Sequence, residues 1–278
     1  MPKGHSVRTL VVAVGASSSA ACGGGAPLLH PAHVLPLGRV STGAGVTGQF
    51  AFRGTGPSRD AGEQKTFEDA IARAALSPGI APWIGARAGL GEQFEAGCTY
   101  TGRSVRADAR RAFGDDSVAV SIGAGASAVF SEPEDRRDEG PSTPPSGRVP
   151  LTGPDLHASG YGFDLPVLVG WRSTASIVQG WVGARGGVEH LSGELPLAPA
   201  GGGPPPSAQV TATRWYAGGL VGAAIGLPPL MVAVELDVSY QAVSATAAFP
   251  APGPGPAGRD GEVHGLTLAP AGAIIGKF

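Results

Sequence analysis

LMVAVELDVSYQA, residues 230–242, is the stretch on which the fold turns. Taken in steps of two, it places Leu230, Val232, Val234, Leu236, Val238 and Tyr240 on one side. Met231, Ala233, Glu235, Asp237, Ser239 and Gln241 fall on the other. Successive side chains of a strand point to opposite faces, so this is a strand with one apolar and one mostly polar face. Glu235 and Asp237 are then same-face neighbours. Two acids in so apolar a run suggest a catalytic dyad, a metal site or something plainer, and the face that lies inside decides which.

Composition narrows the choice. With 20 basic and 22 acidic residues in 278, the chain carries no electrostatic footprint for nucleic acid. Its 46 glycines and 26 prolines approach low-complexity content, yet the glycines alternate with Val, Ile, Leu and aromatics at period two. Asn is absent and Lys occurs only at Lys3, Lys65 and Lys277, the mark of a GC-rich genome.

Lys3 and Arg8 precede the apolar run LVVAVGA (10–16) and the small residues SSSAA, which together read as a signal peptide over 1–21. The apolar run is too short to cross a bilayer. SSSAAC is similar to a bacterial lipoprotein signal, which would make Cys22 the lipidated residue, although Ser19 stands where such signals usually carry Leu. Residues 22–38, rich in Pro and Gly, read as a flexible tether. His30-Pro31-Ala32-His33 within it has no Cys or carboxylate beside it to complete a metal site. Cys98 is the other cysteine, so there is no disulfide framework.

From residue 39 the alternation recurs in ten segments: 39–53, 80–91, 94–101, 104–113, 117–130, 160–172, 176–191, 215–227, about 230–248 and 263–278. One segment, KTFEDAIARAAL (65–76), has helical spacing and stops at Ser77-Pro78. Ten strands with one short helix is an all-β plan. The connections after strands 1, 5, 7 and 9 (54–79, 131–159, 192–214, 249–262) are long. The even-numbered ones (Glu92-Gln93, 114–116, 173–175, Pro228-Pro229) are short, and Gly102-Arg103 is the one short link on the long-loop side. In an up-and-down sheet, long loops then gather at one end and tight turns at the other.

A soluble β-sandwich would alternate in the same way with its apolar face inward. The polar faces here carry Gly, Ala and scattered charges, not the continuous coat of a soluble surface. Strands of this length also suit an oblique bilayer crossing better than a sandwich. Trp83, Tyr100, Tyr161, Trp171, Trp215, Tyr216 and Tyr240 fall near strand ends, where interfacial aromatic girdles form.

Export signal, alternating segments, loop asymmetry and a last strand ending at Phe278 together resemble a small outer-membrane β-barrel of a Gram-negative bacterium. The resemblance covers residues 39–278 and is one of architecture. It implies an up-and-down antiparallel transmembrane barrel of ten strands, or eight as the next possibility, with the short helix in an outer loop. Leu266, Leu268, Ile274 and Phe278 are similar to the C-terminal signal read by barrel-assembly machinery, although Gly272 and Gly276 are smaller than usual there. Outer-membrane lipid and that machinery are the implied partners, and the outer membrane the implied location.

Under this reading Arg87, Glu95, Arg106, Asp108, Arg110, Asp164, Arg172, Arg185, Glu189, Glu235 and Asp237 point into the lumen. Charges in so narrow an interior must pair, because an isolated buried ion is costly, and their balance implies a salt-bridged filling. Glu235 and Asp237 are expected to neutralise arginines. No cofactor is expected: Gly43-Ala44-Gly45-Val46-Thr47-Gly48 fits GxGxxG but lies inside a strand, where a dinucleotide fingerprint does not belong. Asp155-Leu156-His157 has the Asp-x-His form of omptin-like barrel proteases, and Asp260, Glu262 and His264 crowd the outer end of the last strand. No Asp pair faces them. The reading is a non-enzymatic barrel, structural or adhesive through its loops or a narrow pore for small solutes. A soluble exported β-sandwich binding module and a rim-active hydrolase are the alternatives.

Overall fold

The computed structural model describes residues 26–53, 78–130, 157–196, 207–227, 229–248 and 258–278, together with 68, 71, 72, 75 and 76. Ten strands follow one another: β1 (Val40–Arg53), β2 (Gly79–Gly91), β3 (Phe94–Tyr100), β4 (Ser104–Gly114) and β5 (Val118–Phe130), then β6 (His157–Arg172), β7 (Val178–Pro196), β8 (Ser207–Leu227), β9 (Leu230–Ala248) and β10 (Gly258–Lys277). Each pairs antiparallel with its sequence neighbours, and β10 closes on β1. Closure runs from Ser41↔Lys277 to Arg53↔Gly265, and Phe278 and Val40 exchange both main-chain hydrogen bonds at the seam. The chain is a closed ten-stranded up-and-down barrel, not a two-sheet sandwich and not an eight-stranded one. A closed barrel leaves no sheet edge unpaired, which is what a β-structure in lipid requires.

The strands turn inside out relative to a soluble protein. On β9 the outward residues Val232, Val234, Leu236, Val238 and Tyr240 are exposed, while Met231, Glu235, Ser239 and Gln241 are buried in the lumen. The ten residue steps from Leu230 to Tyr240 correspond to roughly 25 Å of height at the usual rise and barrel tilt, the height of a lipid-facing apolar belt. Above Gln241 the chemistry changes hands: Ser244 and Thr246 face outward, while Val243, Ala245 and Ala247 are buried inside. The lower half of β9 is built for lipid outside, its upper extension for water.

Strands β7 and β8 continue beyond the ends that their hydrophobic patterns mark, to Pro196 and back from Ser207. The tight turns 92–93, 115–117 and 173–177 share one rim with the junction of β8 and β9, and the connection 101–103 lies at the other rim, where β1, β5, β7 and β9 end. Glu92 and Gln93 take φ values of 48° and 65°, as a two-residue hairpin turn demands, without the Asn or Gly usually found there.

Two segments outside the wall occupy the lumen. Of the helix expected over 65–76, Glu68, Ile71, Ala72, Ala75 and Leu76 are described and helical. Ile71, Ala72, Ala75 and Leu76 pack against Val129, Leu191, Val210, Val243 and Val263 inside the long-loop end. From the short-turn rim, residues 26–38 thread upward. Leu28, Leu29 and Ala32 pack there against Trp83, Leu168, Trp181, Leu220 and Met231. Residues 1–21, read as a signal, and Cys22 lie outside the described residues.

Candidate functional site: the plugged lumen

The segment 26–38 is held by its backbone. Glu235 accepts the main-chain N–H of Leu28 at 2.7 Å and of Leu29 at 2.9 Å, one on each carboxylate oxygen, and the indole N–H of Trp181 at 2.9 Å. Leu29 has φ 49°, a left-handed value rare for a leucine. Such a turn brings consecutive N–H groups to the same side and makes a concavity for an anion. Glu95 accepts from Leu35 N at 2.7 Å. Arg110 donates to Pro31 O and, at 3.1 Å, to His33 O, and Arg185 donates to Ala26 O. Four ionised wall side chains thus grip six main-chain groups. Pro27, Pro31 and Pro36 have no N–H, so the segment brings three fewer donors for the lumen to satisfy. Proline content read as the mark of a tether is also what suits a chain to a lumen.

The wall makes room for it. A Cβ on Gly89 would collide with the carbonyl oxygens of Leu35 and Pro36, and Gly38 N donates to Gly89 O at 3.1 Å. Gly89→Val is therefore expected to unseat the segment at the rim without touching its own sequence. Greater collisional quenching of the lumenal Trp83 and Trp181 would show it; unchanged quenching in a folded barrel would mean the close approach is not needed.

The eleven charged residues assigned to the lumen fall into distinct places. Arg87 pairs with Glu95 and, at 2.5 Å, with Asp108. Arg106 bridges Asp108 at 2.5 Å and Asp164 at 2.8 Å. Arg185 reaches Asp164 at 3.0 Å and Arg110 reaches Glu95 at 2.9 Å. These seven residues, Arg87, Glu95, Arg106, Asp108, Arg110, Asp164 and Arg185, form one chain of ion pairs across β2–β7. Glu189 stands higher, with Arg214 at 3.1 Å and Arg103 at 3.8 Å. Arg172 sits at the short-turn rim, paired with Asp116 at 2.5 Å. Asp237 bonds Ser239 and lies in the field of Arg185. Glu235 is paired with none of these arginines and serves the amides of Leu28 and Leu29.

The cap in the other end is seated by the same kind of contact. Arg103 and Arg214 both donate to Ala75 O, at 3.1 and 2.7 Å, and Gln49 donates to Leu76 O. Two cations thus meet the unsatisfied carbonyl end of a helix, where they are favoured. Pattern reading missed Arg103 and Arg214 because one sits in a connection and the other in what looks like a loop. It also placed Trp83 and Tyr216 in an outer girdle. Both face the lumen: Trp83 lies flat over Gly85, where any Cβ would strike its ring, and Tyr216 stacks beneath Arg185 and Arg214. Tyr100, Tyr161, Trp171, Trp215 and Tyr240 do face outward.

His33 is buried near the rim with both ring nitrogens unpartnered. Burial first, and then the Arg172 and Arg110 guanidinium groups, push its imidazole below the usual range against the opposing pull of Asp116. Glu262 and His264 lie 3.7 Å apart on the exposed outer face of β10, and His264 stacks on Tyr240. Asp155 lies outside the described residues, as does the His157 side chain. Around Leu28 and His30, beside Trp83, Arg110 and Met231, the plug leaves a cavity of about 40 Å³, room for little more than a water, while toward the short-turn rim open clefts of about 650 and 260 Å³ flank residues 31–37.

No family model and no curated protein matches the chain. Among solved structures, Neisserial surface protein A is similar, with 12% identity, 87% of this chain and 99% of that one covered, and a TM-score of 0.31. The CymD monoaromatic hydrocarbon channel is also similar, at 10% identity, 88% and 89% coverage and a TM-score of 0.29.

Proposed function

We propose that the protein resides in the outer membrane of a Gram-negative bacterium as a narrow passage for small solutes, held closed by segment 26–38 from the short-turn rim and by the helical cap from the other. The observation that carries this reading is the nature of the filling. A barrel that served only as a wall could fill its lumen with its own side chains. Here small inward residues leave space, and residues 26–38 and the helical residues between β1 and β2 occupy it. The apolar outer belt supports the membrane location, and the paired strand ending at Phe278 supports delivery by barrel-assembly machinery. The ion-pair chain across β2–β7 favours a second, structural role, since it braces that half of the wall whatever the plug does.

The passage reading predicts that the wild-type protein in planar bilayers is mostly silent. Leu28→Asp/Leu29→Asp, which puts two charges against Trp181, Leu168 and Met231, should raise the open fraction by roughly tenfold or more, since burying an unpaired charge costs well over 1.4 kcal/mol. A folded, heat-modifiable variant that stays silent would favour the structural role.

A further inference from the structure

The wall reads the plug almost entirely through its main chain. Six backbone groups between Ala26 and Leu35 are taken by Glu235, Arg110, Arg185 and Glu95. The side chains that contribute are chiefly Leu28 and Leu29, 3% and 1% exposed, in an apolar seat of Trp83, Leu168, Trp181, Leu220 and Met231. A carboxylate that spreads two oxygens over two consecutive amides, flanked by guanidinium groups placed for carbonyls, recognises any peptide backbone that can present them. Side-chain identity enters through two leucine-sized pockets and through the small Ala32, which is fully buried against Gly170. Glu235 also has no arginine partner among the described residues, so its charge is met by the amides and by the Trp181 indole. An unpaired carboxylate deep in a lumen is costly unless a donor set of this kind arrives.

From this we infer that the lumen near the short-turn rim is a peptide-binding site, and that residues 26–35 are its resident occupant. The ligand class is a short peptide with two adjacent leucine-like residues and free backbone amides at both. This rests on the reading of 26–38 as a removable stopper: a peptide entering from the same rim competes for the seat, and its binding displaces the plug.

The test uses the full-length protein and a fluorescein-labelled synthetic peptide, APLLHPAHVLPL, the sequence of residues 26–37. Leu28→Asp/Leu29→Asp vacates the seat, and Leu28→Ser/Leu29→Ser does so more gently should the charged variant fail to fold. Fluorescence anisotropy should show saturable binding to the vacated protein and weaker binding to wild type, whose seat is occupied. Adding Glu235→Ala should weaken binding by roughly tenfold or more, the effect of losing charge-assisted hydrogen bonds to two amides. A peptide with serines in place of both leucines should bind the vacated protein no more tightly than the leucine peptide binds wild type. Absence of saturable binding to a heat-modifiable vacated barrel would overturn the site, as would binding indifferent to Glu235→Ala. Conductance gained without peptide binding removes the peptide site and leaves the passage; binding without conductance does the reverse.

Discussion

Asp164→Ala is expected to destabilise the barrel by about 3–5 kcal/mol, the range for removing one partner from a buried ion pair. Asp164 accepts two hydrogen bonds from Arg106, both at 2.8 Å, and one from Arg185 at 3.0 Å. Its side chain is 2% exposed. Truncation leaves two guanidinium groups facing each other with Asp108 as the nearest remaining acid for Arg106. The cost lies in the orphaned charges rather than in the worth of the pair. The double variant Asp164→Leu/Arg185→Leu also removes the arginine that pairs with Asp164 alone among the described residues, while Arg106 keeps Asp108, and should therefore recover a large part of the loss. Urea unfolding in liposomes, followed by the mobility of unboiled samples, measures both. Equal losses in the single and double variants would show that attraction within the pair, not relief of stranded charge, is what matters.

The second large effect concerns the outer face. Val234→Arg places a charge near the middle of the β9 belt and should cost about 2–4 kcal/mol, which is enough to reduce insertion into vesicles severely. Val234 is 55% exposed, so in a water-soluble protein the same change would be nearly free. Ser244→Arg, ten residues along the same face of the same strand, should cost less than about 1 kcal/mol, since Ser244 lies in the water-facing extension and pairs across to Glu262. Equal penalties at the two positions would mean that the belt has been placed at the wrong height.

How much of this was legible in the sequence follows from where each contact lies along the chain. Barrel walls are made of neighbour-to-neighbour pairings, so period-two alternation and loop lengths are enough to read ten strands and their facing. Val232, Val234 and Leu236 go to the outside for that reason. The upper parts of β7 and β8 were less legible, because residues 192–196 and 207–214 carry mostly small and polar residues that look like loop. The plug was not legible at all. Pro and Gly in 23–38 have no period, and the partners of Leu28 and Leu29 lie more than 200 positions away at Glu235. Nor could spacing alone separate Glu235 from Asp237. Both face inward, and only the seated backbone shows that Glu235 answers amides rather than arginines.

The wall is not equally deep all round. On β9 the apolar outward residues run from Leu230 to Tyr240, while on β4 they run only from Val105 to Phe113, with Arg111 held between the rings of Phe94 and Phe113 at 5.1 Å from each. Ten residue steps against eight correspond to roughly 25 Å against roughly 20 Å of belt at the usual rise and tilt. A flat bilayer cannot match both flanks. The lipid beside β3 and β4 must thin by about 5 Å, or the barrel must lean toward that side, each at a modest cost per ångström. Cys98 faces outward on β3, inside the shallow flank, and a spin label there would report how close the headgroups come.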